Sequence, residues 1–187
     1  MSLKWVQFRL EIKDMFEPSP QREGLCGQNV VLAQLEALIS DGNESFLGRM
    51  ASLANASALL WQSLERINWV GFYLVGTETA GTVRQLILGP FQGPPACVSI
   101  AYGKGVCGTA WQKTKTLVVP DVHAFPGHIS CDSASRSEVV VPMVVGLSVV
   151  GVLDVDSPDP DRFSSSDVDF LEKAAKIVSR IYPSTLT

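Results

Sequence analysis

Apolar side chains recur along this chain with two periods, one typical of strands and one typical of helices. Residues 6–13 alternate strictly between apolar and polar, which predicts a β-strand near the N-terminus. Apolar residues return every three or four positions over about 25–39 and 44–66, which predicts two amphipathic helices. A final helix is predicted after Ser164, because Ser164 and Asp167 resemble a capping box ahead of a helical stripe.

Short apolar runs rich in β-branched residues fill the middle of the chain and predict a sheet. The Gly-Pro pairs at 89–90 and 93–94 are expected to interrupt this sheet, and a short helix is expected over 106–113. Because hairpins connect most of the runs, we expect an α+β domain: an antiparallel sheet with helices on one face and a ligand cup under loops on the other. The predicted strands are 67–75, 83–88, 97–100, 117–119, 138–145 and 149–156.

Pro18 and Pro20 separate the first strand from the rest, so residues 1–20 are interpreted as an extension and residues 21–187 as the domain. Apolar residues make up 46% of the chain and charged residues 18%, which is typical of a folded domain. The net charge of −4, without a basic run, argues against nucleic acid as a partner. Neither a membrane-spanning run nor the apolar core of a signal peptide is present, so the cytoplasm is the expected compartment.

One long polar loop, residues 120–138, holds both histidines and one of the four cysteines. Its prolines, glycine, serines and aspartates make it a poor helix or strand, and long ordered loops commonly carry binding or catalytic groups. The neighbours of Cys131 are polar, and Arg136 or His128 would stabilise its thiolate. A buried apolar role is the alternative for any free cysteine, but these surroundings favour a functional thiol.

The other cysteines are Cys26, Cys97 and Cys107. In a reducing compartment they are expected to be thiols, and with two histidines and no Cys-x-x-Cys pair no metal site is predicted. Cys107 has two equal interpretations, a core residue or a thiol whose pKa is lowered by a helix N-terminus. Cys97 follows a Gly-Pro-Pro segment that would let it swing towards another thiol, as a resolving cysteine must. Cys26 is interpreted as incidental.

Three carboxylates, Glu138, Asp154 and Asp156, are the candidate acids. The two aspartates share a sheet face because they lie two residues apart on one predicted strand. A three-residue turn would place Glu138 opposite Asp156 on that face, whereas a two-residue turn would direct it to the other face. Crowded together, the carboxylates would raise at least one pKa by like-charge repulsion and attract an ammonium group. Solvated strand ends are the alternative interpretation.

Trp69 and Tyr73 lie four residues apart on one predicted strand, so their side chains share a face. They are interpreted either as core packing or as the wall of a ligand cup that holds a cation or a thioether methyl group. Thiols beside a proton-donating carboxyl group indicate redox chemistry, or ligand binding with a redox sensor. These residues alone do not select a substrate.

Six sequence motifs, which occur in a fixed order along the chain, identify a family more specifically than these single residues do. They are I-N-W-V-G-F-Y (67–73), L-G-P-F-Q-G (88–93), G-K-G-V-C-G-T-A (103–110), V-P-D-V-H-A-F-P-G-H-I-S-C-D (119–132), S-E-V-V-V-P (137–142) and G-V-L-D-V-D-S (151–157). Together they closely resemble the free methionine-(R)-sulfoxide reductases, small enzymes built on a GAF domain, over about residues 25–182. The resemblance implies a GAF-like fold and the reduction of free L-methionine (R)-sulfoxide.

The resemblance also implies a thiol mechanism. Cys131 would attack the sulfoxide sulfur, release methionine and remain as a sulfenic acid. Cys97 would resolve this acid as a disulfide, with Cys107 as a second resolving thiol, and thioredoxin would restore the thiols. Neither a metal nor another cofactor is implied, and the activity would serve in oxidative stress.

Substrate contacts follow from the same resemblance. Glu138 and Asp156 would help to protonate the sulfoxide oxygen, and the carboxylates together would hold the substrate ammonium. The predicted substrate-binding residues are Trp69, Tyr73, Asp132, Ser133, Glu138, Asp154 and Asp156. A non-catalytic GAF sensor of a small molecule is the alternative function. The oligomeric state is left open, with a homodimer as one arrangement.

Overall fold

The structure is a computed structural model that describes residues 26–40, 45–77, 84–126 and 134–182. The extension over residues 1–20 and its predicted strand lie outside the described residues. The strands are β1 (Trp69–Thr77), β2 (Arg84–Gln92), β3 (Ser99–Ala101), β4 (Leu117–Val119), β5 (Ser137–Val145) and β6 (Ser148–Ser157). The helices are α1 (Cys26–Ser40), α2 (Phe46–Ser63), α3 (Gly105–Lys113) and α4 (Ser165–Val178), with 3-10 turns at Val122–Ala124 and Ser179–Ile181.

The six strands form one antiparallel sheet in the order β3-β2-β1-β6-β5-β4. Side chains alternate between its faces, as strand geometry requires. Along β1, Val70 and Phe72 enter a core shared with α1, α2 and α4. Trp69 and Tyr73 enter a second core, on the opposite face, with the short helix α3. The predicted fold class is confirmed, and α3 is the helix that lies on the cup side.

Strand β2 continues through the Gly89-Pro90 pair, where the sequence had predicted an interruption. The pair forms a β-bulge, because Gly71 pairs with Phe91 while Tyr73 pairs with Leu88. A bulge leaves one residue unpaired, so it accommodates a proline that has no N–H to donate. The prediction that β2 ends at Leu88 was therefore wrong, since the strand extends four residues further and reaches the cup.

The helix ends follow local hydrogen bonding. Ser45 accepts a hydrogen bond from the backbone N–H of Gly48 at 3.1 Å and so begins α2. The predicted capping box of α4 is confirmed: the Ser164 side chain accepts from Asp167 N, and the Asp167 carboxylate accepts from Ser164 N. Within the described residues, no helix has both the length and the apolar character needed to cross a membrane.

Candidate active site

Three carboxylates occupy neighbouring positions on the sheet face that is opposite the long helices. Glu138 of β5 pairs with Asp156 of β6, and Asp154 lies two residues away on the same strand as Asp156. Since directly paired and alternate residues point to one side of a sheet, all three share a face. The predicted clustering is confirmed, while the roles of the three acids stay predictions.

The register that joins Glu138 to Asp156 comes from a two-residue turn combined with a β-bulge. Val145 pairs with Ser148, so the turn has only two residues, the case that was expected to direct Glu138 to the other face. One extra residue on β6, Val150, then shifts every later pair by one position. The turn alone would have separated the acids, and the bulge reunites them.

The thiol of Cys107, in the first turn of α3, contacts two of the acids. Its Sγ donates a hydrogen bond to Oδ2 of Asp154 at 3.2 Å and lies 3.9 Å from Oε1 of Glu138. All three residues are buried, with exposed fractions of 4% for Cys107 and 6% for each acid. The second oxygen of Asp154, Oδ1, is buried and has no hydrogen-bond partner among the described residues. Among the described residues, these three side chains form the group whose ligand atoms lie close enough together to hold a metal ion.

Burial makes the two inner acids hold protons more tightly. It raises the pKa of Glu138 well above its usual range, and the neighbouring charges of Asp154 and Asp156 raise it further. Burial also raises the pKa of Asp154 to about 6, although the hydrogen bond from Cys107 acts in the opposite direction. The predicted direction is confirmed, but burial is the larger cause and like-charge repulsion the smaller one. Glu138 therefore keeps its proton to a higher pH than an ordinary glutamate does, beside an Asp154 whose pKa is about 6.

The pKa of Cys107 is raised, so the lowered pKa considered from the sequence was wrong. The causes are burial first and then the negative charges of Asp154 and Glu138. A helix N-terminus contributes on the order of 1 kcal/mol to an anion, whereas burying an unpaired charge costs several kcal/mol. Cys107 therefore stays a neutral thiol and acts as a hydrogen-bond donor.

An aromatic wall stands beside the acids. Trp69 pairs with Asp156 across β1 and β6, which places its ring next to the carboxylate row. The ring stacks on Tyr73 at a centroid distance of 5.9 Å and on Phe91 at 5.3 Å. Trp69 and Tyr73 thus share a face as predicted, and Phe91 extends the wall.

The same two aromatic residues hold the segment that leads to Cys97. The indole Nε1 of Trp69 donates to the carbonyl oxygen of Pro94 at 3.2 Å, and the Tyr73 hydroxyl donates to the carbonyl oxygen of Cys97 at 3.0 Å. Burial and the charge of Asp154 raise the pKa of Tyr73, so its hydroxyl stays a donor. Cys97 is half-buried and disulfide-bonded. This segment therefore lies against the aromatic wall.

Both ends of the long polar loop are fastened to the sheet beside Glu138. Val119, the last residue before the loop, pairs with Glu138. At the other end, Asn68 Nδ2 donates to the Ser135 hydroxyl at 3.0 Å, and the exposed Arg136 donates its backbone N–H to the carbonyl of Ser157. Three predicted site residues lie outside the described residues, and their placement stays a prediction: Cys131, Asp132 and Ser133.

Comparison with known proteins gives the family of this chain. The profile of the GAF domain matches residues 44–181. The free methionine-R-sulfoxide reductase of Escherichia coli is 46% identical over 144 residues, which cover 77% of this chain and 82% of that protein. This chain belongs to the free methionine-(R)-sulfoxide reductase family. The reductase of Saccharomyces cerevisiae is 44% identical over 147 residues, covering 76% and 78% of the two chains.

A solved structure of the reductase family extends the match to the fold. The free methionine-R-sulfoxide reductase from Neisseria meningitidis, in complex with its substrate, is 41% identical to this chain with a TM-score of 0.76. The alignment covers 90% of this chain and 94% of the Neisseria chain. The sheet that carries the acids and the aromatic wall thus belongs to a fold in which another family member binds its substrate.

Several residues that shape this reductase-family site were not singled out from the sequence. Phe91 lies within a quoted motif, yet its stacking on Trp69 depends on the β2 bulge. Asn68 and Ser135 join the end of β1 to the end of the polar loop, across 67 residues of chain. The burial of Ser135, which is 4% exposed, is the signal that sets it apart from an ordinary turn serine.

Gly71→Ala is expected to damage the aromatic wall. A β-carbon at Gly71 would overlap Phe91 Cβ and lie 2.6 Å from Cη2 of Trp69. Overpacking of this kind typically costs about 1–3 kcal/mol, so the free energy of unfolding measured in urea should fall by that amount. Gly27→Ala is the matched control, because its β-carbon would meet nothing within 4 Å. Equal effects of the two changes would contradict the close packing of the wall.

Proposed function

We propose that this protein reduces free L-methionine (R)-sulfoxide to methionine with its own thiols. The observation that carries the proposal is the buried carboxyl group of Glu138, whose pKa is raised well above its usual range, in a row with Asp154 and Asp156 beside an aromatic wall. A sulfoxide becomes a good electrophile only when its oxygen receives a proton, so a carboxyl group with a raised pKa suits the reaction. Membership of the reductase family supports the same conclusion.

Substrate binding is assigned to the carboxylates and to the aromatic wall. Asp154 and Asp156 provide negative charge for the ammonium group of a free amino acid, which a residue inside a polypeptide lacks. The aromatic wall of Trp69, Tyr73 and Phe91 is proposed to offer apolar surface for the methyl group on sulfur. Asp132 and Ser133, beside the nucleophile in sequence, are proposed to complete the contacts. This division of labour selects free methionine sulfoxide over the oxidised residue in a protein.

The chemical cycle is proposed to run through two thiols. The Cys131 thiolate attacks the sulfoxide sulfur while Glu138 protonates the oxygen, which forms a sulfur–sulfur bond. Transfer of the hydroxyl group from the substrate sulfur to the Cys131 sulfur then breaks the S–O bond and that sulfur–sulfur bond, releases methionine and leaves Cys131 as a sulfenic acid. Cys97 then attacks this sulfur, forming a disulfide and releasing the oxygen as water. Thioredoxin reduces the disulfide, which accounts for the two electrons that the sulfoxide consumes. Such a cycle fits the reducing cytoplasm that the sequence led us to expect.

Cys97 is proposed as the main resolving thiol. It is disulfide-bonded in the structure, whereas Cys107 is a free, buried thiol. Since the thiolate is the reactive form, the raised pKa of Cys107 makes it the poorer nucleophile. Its proposed part is to donate a hydrogen bond to Asp154 and so favour the ionised aspartate beside the protonated Glu138. A role as a second resolving thiol stays a prediction.

The two epimers of free methionine sulfoxide test the proposal directly. Thioredoxin-dependent NADPH consumption is expected with the R epimer, and at least about a hundredfold less with the S epimer, since a pocket built around one arrangement of methyl and oxygen leaves polar groups unpaired with the other. A peptide containing oxidised methionine is the control for the free amino group. Tight binding of the R epimer without turnover would instead favour the non-catalytic sensor.

A further inference from the structure

The thiol and the two inner acids are spaced like the ligands of a tetrahedral cation. One ligand atom from each of Cys107, Glu138 and Asp154 lies within 4.8 Å of the others. The measured separations from Sγ are 3.2 Å to Asp154 and 3.9 Å to Glu138. In a zinc site with the usual bond lengths, a sulfur and an oxygen ligand are about 3.5 Å apart. Both sulfur–oxygen separations therefore lie within about 0.4 Å of the value for a zinc site.

A second observation is the unpartnered oxygen of Asp154. Oδ1 is fully buried, and no described residue donates a hydrogen bond to it. A buried acceptor without a partner costs free energy, and a cation held by both carboxylate oxygens of Asp154 would satisfy it. Among the ion pairs of the described residues, those of Arg66 with Asp159, Arg162 with Asp167 and Arg180 with Glu36, none includes Glu138 or Asp154.

The donor set indicates which cation fits. A thiolate with two carboxylates suits a borderline or soft divalent ion such as Zn²⁺ and disfavours Mg²⁺ or Ca²⁺, which select oxygen ligands alone. Three protein ligands leave one tetrahedral position open. The ligands are also held by rigid elements, since β5 and β6 are paired at this point and α3 packs into the second core. Counting histidines in the sequence missed this group because none of its ligands is a histidine.

We propose that the reduced protein binds one thiophilic divalent cation, of the Zn²⁺ class, through Cys107, Glu138 and Asp154. Binding exchanges protons on the cluster for the charge of the cation, as is usual when thiols and acids become ligands. The cation would occupy the acids assigned to proton donation and to the substrate ammonium. The cation and the sulfoxide would then exclude one another. This mutual exclusion rests on the proposed function, because it requires that the same acids bind the substrate.

Cadmium, used as a spectroscopic probe, tests the site without reference to activity. In the triple variant Cys26→Ser, Cys97→Ser and Cys131→Ser, the single remaining thiol is Cys107. Titration with Cd²⁺ is expected to give a sulfur-to-cadmium charge-transfer band that saturates at one equivalent. Adding Cys107→Ser should abolish the band, and its persistence would overturn the proposal, as would its absence from a folded triple variant.

Zinc affinity in the fully reduced wild-type cysteine background provides the second measurement. Competition with a chromophoric chelator should show at least a tenfold loss of affinity in Asp154→Asn and in Glu138→Gln, as expected when a metal ligand is removed. Glu36→Gln is the matched control, because Glu36 pairs with Arg180 at an exposed site. Equal affinities in all four proteins would overturn the assignment of ligands.

Inhibition kinetics separate the cation site from the proposed function. Zn²⁺ should inhibit sulfoxide reduction competitively with the R epimer, and a chelator should reverse the inhibition. Competition would support the mutual exclusion, whereas a purely noncompetitive pattern would overturn it and leave the cation site itself in place. A protein that turns over neither epimer but binds Cd²⁺ through Cys107 would contradict the proposed function alone.

Discussion

Cys131→Ser is expected to lower the turnover of free methionine (R)-sulfoxide by about a thousandfold or more. Removing the attacking group of a covalent mechanism commonly costs this much or more, because no other group supplies the nucleophile. A serine hydroxyl is not ionised at neutral pH, whereas a cysteine thiol ionises far more readily and its thiolate is the nucleophile. The measurement is methionine released per enzyme in the steady state, with thioredoxin, thioredoxin reductase and NADPH in excess.

Cys97→Ser is the informative companion, because it should separate chemistry from recycling. This variant should still release one equivalent of methionine in a single turnover and accumulate a sulfenic acid that a dimedone probe traps on Cys131. Steady-state turnover with thioredoxin should then fall to a small fraction of the wild-type rate. Full steady-state activity of Cys131→Ser would contradict its role, and a single-turnover defect in Cys97→Ser would assign the attack to Cys97 instead.

The fold followed from local patterns wherever the pattern itself determined the element. The aromatic and β-branched run that predicted a strand over 67–75 and the capping box at Ser164 are properties of neighbouring residues, and the structure has β1 at Trp69–Thr77 and the capping box at Ser164. The path of β2 through Gly89 and Pro90 was not predicted, because both residues favour breaks when judged alone. Pro90 instead makes a contact with a distant part of the chain: the hydroxyl of Ser57 on α2 donates a hydrogen bond to the carbonyl oxygen of Pro90 at 3.0 Å.

The candidate site shows the same division between what a pattern determines and what packing determines. The period of the strand was enough to place Asp154 and Asp156 on one face. The position of Glu138 was left open, because the bulge at Val150 carries no signal that distinguishes it from an ordinary apolar strand residue. The pKa of Cys107 was likewise out of reach, since it depends on burial against acids far along the chain.

The buried Asp154 should lower the free energy of unfolding at neutral and higher pH, and Asp154→Asn tests this. The pKa of Asp154 is about 6 in the folded protein against 3.8 for an ordinary aspartate, so the folded state binds more protons than the unfolded chain between these pH values. Raising the pH through this window therefore favours unfolding, and the stabilising effect of protonation is lost above pH 6. Two pKa units correspond to about 3 kcal/mol as an upper limit.

Asp154→Asn should remove this part of the pH dependence. We expect its free energy of unfolding at pH 8, measured in urea on the reduced protein, to exceed that of the wild type by on the order of 1–3 kcal/mol, and the difference to vanish near pH 4. Asp159→Asn is the control, because its exposed ion pair with Arg66 should contribute less than about 1 kcal/mol at either pH. A wild-type protein that gains stability from pH 4 to pH 8 relative to Asp154→Asn would contradict the raised pKa.

Glu138→Gln should cause a large loss of activity. Glutamine keeps the size of the side chain but cannot deliver a proton to the sulfoxide oxygen, and a positioned general acid contributes about a hundredfold to ten-thousandfold to a rate. The raised pKa of Glu138, caused first by burial, means that the same change should also stabilise the fold at neutral pH. Single-turnover methionine release, followed as the pH is raised, should decline as Glu138 loses its proton in the wild type and be flat and low in the variant. A variant that is both fully active and equally dependent on pH would show that the proton comes from another group.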